Sequence, residues 1–169
     1  MASLGHVAVG LAAGRFHGDR GGSPVRAMVG FSALSLAADL DVVAFALGIP
    51  YEAPFGHRGA SHSLFVALGV GCLCALLARD PEHRWRLARL GVIVAASHGL
   101  LDTLTDGGLG IALLWPLSDA RFFAPWRPIP VAPIGAGMLS ARGLWVVAAE
   151  AALFAPLLLY ALGPRRARG

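Results

Sequence analysis

His98 and Asp102 stand four residues apart inside an apolar run, Ser97-His98-Gly99-Leu100-Leu101-Asp102. On a helix that spacing places an imidazole and a carboxylate on one face, within reach of a common ion. A mixed nitrogen and oxygen donor set suits zinc, with manganese or iron as alternatives, better than calcium or magnesium, which take oxygen shells. Thr105 and Asp106 are expected to continue that face. A second group, Asp39 and Asp41, lies in the apolar stretch from Ser35 to Val43 with no basic neighbour in sequence. Two close carboxylates repel, and a divalent cation is the simplest way to keep both ionised; a proton relay or a packing aspartate is the alternative. Residues two apart on a regular helix face nearly opposite ways. Either the helix breaks here, or only one of the pair reaches the ion.

The segment His57-Arg58-Gly59-Ala60-Ser61-His62-Ser63 follows a turn and precedes an apolar helix, with Ser61 or Ser63 as its N-cap. His57 and His62 are candidate ligands, and His62 is also a candidate acid or base. Arg58 is a candidate for steadying an anionic substrate oxygen or a transition-state charge; its plain alternative is a surface arginine. His6, in Gly5-His6-Val7-Ala8-Val9-Gly10, lies among small residues that permit close packing, and it is either a further ligand or a satisfied core histidine. Glu150 either closes the site or pairs with an arginine. His17 and His83 sit in arginine-bearing connections and read as solvated. The H-E-x-x-H, P-loop and G-x-S-x-G patterns are absent from the sequence.

The elements that must position these groups are apolar. Of 169 residues, 56% are hydrophobic and the mean hydropathy is +0.65, too high for an ordinary soluble domain. The chain reads as one membrane-embedded domain over residues 1–169. Candidate spans are Ala27 to Ile49, Ser63 to Ala78, Leu87 to about Leu104, and Gly143 to Leu162, with a shorter segment from Ala2 to Gly14. The expected fold is therefore all-α, an integral membrane bundle of four to five helices. Trp115 to Pro133, with five prolines, aromatic rings and arginines, reads as a loop on the membrane surface. Cys72 and Cys74, two apart on a helix, point apart and read as packing residues. The N-terminal apolar stretch has no preceding basic residue and is not read as a signal peptide.

All fourteen basic residues are arginine. They gather at the ends of apolar segments rather than along a surface stripe, so nucleic acid is not an expected partner. With five crossings, ten arginines fall on one side, among them Arg15, Arg20, Arg26, Arg79, Arg84, Arg86, Arg89, Arg165, Arg166 and Arg168, and four on the other. The positive-inside tendency then puts the C-terminus in the cytoplasm and the N-terminus outside. In that topology His6, Asp39, Asp41, His57, His62, His98 and Asp102 fall at similar depth, towards the outer face. The count of arginines used none of these residues, so their convergence supports a single site.

Taken in order, His6, Asp39-Leu40-Asp41, the His57 to Ser63 turn, His98-x-x-x-Asp102 and Trp115-Pro116-Leu117-Ser118 resemble the bacterial inner-membrane-associated metal-dependent hydrolases, some of which are described as LexA-binding. The resemblance runs from Leu4 to about Pro133 and implies a hydrolase of the bacterial inner membrane. The ligand order is also distantly similar to that of zinc-dependent phospholipase C and the S1/P1 nucleases. That similarity implies that Asp102 bridges two ions. One ion is completed by Asp39 or Asp41, His57 or His62, and His98, and the other is bound by His6. Nothing after Asp102 supplies a third site, so one or two divalent ions are expected. Catalytic roles fall to Asp102, His62 and Arg58, and the expected substrate is a phosphoester of a phospholipid or lipid-linked molecule. A metal-ion or proton transporter is the alternative from another class, since buried ionisable residues also mark ion pathways. A non-catalytic membrane partner of a regulator protein is the third.

Overall fold

The computed structural model describes residues 3–19, 23–78, 80–133 and 135–164. The described elements are helical, with no strand, only isolated bridges pairing Thr105 with Ile129 and Ile111 with Phe122. Helix α1 is Ser3–Gly18 and α2 is Pro24–Leu36; α2 runs through a 3-10 stretch, Ala37–Val42, into the single-turn α3, Val43–Ala46. Helix α4 is Leu64–Leu77 and α5 is Pro81–Thr103. The last two, α6 (Ala141–Leu153) and α7 (Ala155–Leu162), meet at a bend of 73° around Phe154.

These boundaries follow from local chemistry. Pro24 opens α2 with a fixed φ and no amide proton to waste. Ser63 caps α4 by accepting a hydrogen bond from Val66 N at 3.1 Å, and Ser140 caps α6 through Gly143 N at 3.2 Å. Pro156 at the start of α7 removes a donor and ends α6, so the expected continuous span from Gly143 to Leu162 is two helices. Helix α5 starts at Pro81, six residues before the expected Leu87, because proline suits a first turn and the arginines after it are tolerated at a helix end. Ala2, at the edge of the expected first segment, lies outside the described residues, as do Arg20, Arg79, Arg165, Arg166 and Arg168.

Helix α1 lies flat against α2 because Gly10, Gly14 and Gly18 form one small-residue stripe. A Cβ on Gly10 would sit 2.5 Å from the Ser32 Cα, and one on Gly14 2.3 Å from the Met28 Cα. Such backbone-on-backbone contact is how helices associate where no water drives them together. The surface is inverted relative to a soluble protein. Buried positions include His6, Arg15, Asp39, Arg58, Asp102 and Glu150, whereas Leu40, Leu76, Trp85, Leu144 and Leu159 are largely exposed. That pattern belongs to a lipid-facing exterior.

Among the described residues, one continuous run, Pro24–Ala46, is long and apolar enough to cross a bilayer, and a second is reached if α6 and α7 count as one span. Helix α4 is apolar but only 14 residues long, and α5 carries Arg84, Arg86, Arg89 and Asp102. The all-α expectation holds, whereas span length supports one or two crossings rather than four or five.

Two buried charges tie α1 to the C-terminal helices. Glu150 Oε2 accepts from Leu4 N at 2.8 Å and Gly5 N at 3.0 Å, a carboxylate at the positive end of α1. It therefore neither closes the site nor pairs with an arginine. Arg15 donates to the carbonyls of Tyr160, Ala161, Gly163 and Pro164, satisfying the open end of α7. Arg15→Met keeps the stem but leaves those carbonyls without a donor. It should cost about 2 kcal/mol and lower the melting temperature of the detergent-purified protein by about 4–8 °C; an unchanged thermal transition would show that the tie is not used.

Candidate metal centre

Four segments deliver the site: α1 carries His6, the 3-10 stretch carries Asp39 and Asp41, the turn before α4 carries His57, Arg58 and His62, and the end of α5 carries His98 and Asp102. The 3-10 geometry explains how two aspartates two apart serve one site. Three residues per turn set them about 120° apart rather than the 160° or so of an α-helix. Asp39 turns to the imidazoles and Asp41 to the His57 to His62 turn. That turn can lie against α5 because residue 99 is glycine; a Cβ there would be 2.2 Å from the His62 carbonyl oxygen.

His62 and His98 point their Nε2 atoms at each other, 3.1 Å apart. His98 Nδ1 donates to the Ser35 carbonyl at 2.6 Å, which fixes the tautomer and leaves Nε2 as the lone-pair atom. His62 Nδ1 lies 3.1 Å from Asp41 Oδ2 and 2.9 Å from Ser61 Oγ. Asp39 Oδ1 is 3.4 Å from His98 Nε2 and 3.7 Å from His62 Nε2, and Asp102 Oδ2 is 3.6 Å from His62 Nε2. One donor atom from each of Asp39, His62, His98 and Asp102 thus falls within 4.8 Å of the others. Four ligands around an ion with bonds of about 2.0–2.1 Å stand roughly 3.3–3.4 Å apart, close to the spacings here. The cluster can hold a metal ion.

The electrostatics call for positive charge at that point. Neither Asp39 oxygen accepts a hydrogen bond among the described residues, although the side chain is only 9% exposed. A buried carboxylate in that condition is stable only beside a cation. Burial works against a charge on His62, yet the carboxylates of Asp102, Asp39 and Asp41 outweigh it and raise the imidazole to about 10. A proton on this ring or a metal ion at the same point answers the same demand.

Around these four the other residues take supporting places. Asp41 accepts from His57 Nδ1 at 2.6 Å through Oδ1, and from Arg58 N at 3.0 Å and Ser61 Oγ at 2.6 Å through Oδ2. Asp39, Asp41 and His57 also form a second group of donor atoms within 4.8 Å of one another. His6 stacks on His98 with ring centres 3.7 Å apart, and its Nε2 lies 3.2 Å from Asp102 Oδ1. Arg58, 1% exposed, is no surface arginine. Its Nε lies 3.2 Å from Asp102 Oδ2 and its Nη1 donates to Gly107 O at 2.8 Å, while Nη2 has no hydrogen-bond partner among the described residues.

All seven residues expected as ligands are thus brought to one place, with Arg58 beside them. Helix α5 ends at Thr103, so Asp106 does not continue the His98 and Asp102 face; it is exposed and accepts from Val131 N at 2.6 Å, whereas Thr105 is buried and donates to the Asp102 carbonyl at 2.8 Å. His17 is half-buried and edge-on to Phe31, and His83, with its side chain 34% exposed, pairs with Asp80. Sequence reasoning missed Ser35, Ser61 and Arg121. Arg121 leaves the expected surface loop and folds inward, donating to the carbonyls of His57, Gly110 and Tyr51.

Comparison with known proteins agrees with a bilayer setting. Over 116 residues the chain is 43% identical to Inner membrane protein YbcI of Escherichia coli (strain K12). That stretch covers 65% of this chain and 65% of the relative's length. No solved structure matches. Residues 1–166 match the YdjM inner membrane protein family, and on that match the chain belongs to it.

Proposed function

We propose that this protein is a membrane-embedded metal-dependent hydrolase acting on a phosphoester of a lipid or lipid-linked substrate. The observation that carries the reading is the convergence of Asp39, His62, His98 and Asp102 donor atoms from three separate segments, all within 4.8 Å of one another. Two imidazoles and two carboxylates favour zinc, with manganese or iron able to replace it. A divalent cation held there supplies Lewis-acid chemistry, lowering the pKa of a water and polarising a phosphoryl oxygen.

The chain's own groups divide the remaining work. Asp41 holds the His62 ring and His57, the carboxylate–imidazole arrangement that orients ligands in metal sites. Asp102 joins three groups at once, His6 on Oδ1 and Arg58 and His62 on Oδ2, so a second ion would fall on the His6 side. Arg58 keeps Nη2 for an anionic oxygen next to Asp102. Substrate enters from the Asp39 and Asp41 side, where side-chain exposure is 8–9% rather than 0–2%. Phe45 and Tyr51 pack around His57 there, and Phe55 is paired with Trp115, aromatic rings suited to a headgroup layer. In this reading the arginine-bearing start of α5 faces the cytoplasm, and His98 and Asp102 at the other end of that helix lie towards the outer face.

Elemental analysis of the purified protein should find at least one equivalent of transition metal, and mixed-micelle assays should release phosphate or a phosphorylated headgroup from phospholipid or lipid-diphosphate substrates. Asp102→Ala should lose both metal and turnover, and full metal retention in that variant would remove the basis for the assignment. Bound metal with cation flux in proteoliposomes and no hydrolysis product would establish transport instead.

Asp41→Asn separates support from ligation. It should weaken metal affinity or turnover by about 10–100-fold, as loss of an orienting partner does, whereas Asp39→Asn should abolish stoichiometric metal. The reverse ranking in a chelator competition titration would show that Asp41 is the ligand.

A further inference from the structure

A groove of about 700 Å³ runs between α4 and α5, on a face that the metal cluster does not touch. Its origin is steric. The two helices meet at glycine: a Cβ on Gly71 would lie 2.2 Å from Val92 Cγ2, and one on Gly91 2.8 Å from Cys74 Sγ. Beyond that contact Ala75 and Ala88 form a shallow floor, and Leu68, Leu76, Trp85 and Ile93 stand as walls. Those walls are 53–80% exposed, so the face is open to whatever surrounds the protein.

The lining itself is almost wholly apolar. Arg84 and Arg89, both exposed, border it with their aliphatic stems towards the hairpin that joins the helices, with Trp85 between them in sequence. Among the described residues neither guanidinium has an ion-pair partner; Arg89 Nε donates only to the Trp85 carbonyl at 3.3 Å, and the nearby Asp80 pairs with His83. From Arg84 to Ile93 the helix rises about 13 Å, enough to accompany the upper part of an acyl chain.

We propose that this groove binds an anionic phospholipid, with one acyl chain lying between α4 and α5 and the phosphate held by Arg84 and Arg89. The apolar walls favour hydrocarbon over water, and the guanidinium fork matches phosphate oxygens in charge and geometry. Trp85 belongs at the depth where chain meets headgroup. A second copy of this protein is a poorer occupant. A two-fold axis along the membrane normal would bring both copies' Arg84 and Arg89 to the same end, like charge against like. The site is independent of the hydrolase reading.

Native mass spectrometry and thermal melting of the full-length protein in detergent, titrated with phosphatidylglycerol, phosphatidylcholine or glycerol phosphate, decide the matter. Phosphatidylglycerol should be retained as one bound lipid and raise the melting temperature, with a preference over phosphatidylcholine of at least about tenfold, the scale expected for two arginines near a lipid surface. Arg84→Ala with Arg89→Ala should erase that preference while leaving metal content unchanged, and Ala88→Leu, which fills the floor, should lose retention of both lipids. Equal retention of the two lipids by the native chain, a preference that survives the arginine changes, or an equal thermal shift from glycerol phosphate alone would each overturn the proposal. A stable dimer that forms in place of lipid retention would do the same.

Discussion

Asp39, Asp41 and Asp102 are buried within a few ångströms of one another, and no arrangement of apolar helices tolerates that without compensating positive charge. Arg58 supplies one charge, to Asp102. Asp41 is provided for by hydrogen bonds from His57, Arg58 N and Ser61. Asp39 accepts no hydrogen bond among the described residues, and it faces two imidazole Nε2 atoms at 3.4 and 3.7 Å. The remaining architecture serves this imbalance. The α-to-3-10 change at Ala37 aims both aspartates inward, Gly99 lets the turn close on α5, and Ser35 holds His98 in the tautomer that leaves its lone pair free.

A site this polar inside so apolar a chain needs rigid walls, and they come from close backbone contact rather than bulky side chains. The α1 glycines seat that helix on α2, and a Cβ on Gly5 would meet the Phe154 ring at 2.5 Å. His6 therefore enters the cluster from a helix fixed on two sides, with its N-terminus held by Glu150 from α6. Large apolar side chains are left to the outside, which is why the buried list is rich in charge and the exposed list in leucine and tryptophan. In a bilayer that distribution is the stable one, since burying polar groups against each other is preferable to leaving them in hydrocarbon.

Where a regular helix carried the chemistry, the sequence could be read directly. His98 and Asp102 share a face of α5 as their spacing of four requires, and Ser63 caps α4. The Asp39 and Asp41 pair raised the choice between a broken helix and a single ligand; the chain changes helical type, which pattern alone does not encode because 3-10 stretches follow from tertiary contacts. Asp106 was misplaced because the helix was extended past Thr103, although Gly107-Gly108 lay just ahead as a breaker; Thr105 still reaches the Asp102 carbonyl. Ser35, Ser61 and Arg121 were invisible for another reason. Each acts through a carbonyl or ring brought near only by folding, and no local spacing records that. Hydropathy alone rewards α4 and α5 for composition, whereas α4 is short and α5 begins with arginines, so span length supports fewer crossings than the apolar segments suggested.

Backbone strain shows how firmly the surroundings of the buried cluster hold Arg58. Arg58 adopts φ 62°, a left-handed conformation that suits glycine and costs a β-carbon-bearing residue about 1–3 kcal/mol. The surroundings hold it from every direction: its amide on Asp41, its carbonyl accepting from Ala112 N, its Nε on Asp102, its Nη1 on Gly107 O. Gly108, at φ 93°, brings the backbone so near that a Cβ would lie 2.5 Å from Nη1. A guanidinium fixed this tightly, with Nη2 buried and without a hydrogen-bond partner among the described residues, sets one immobile positive charge against Asp102 and the carboxylates around it.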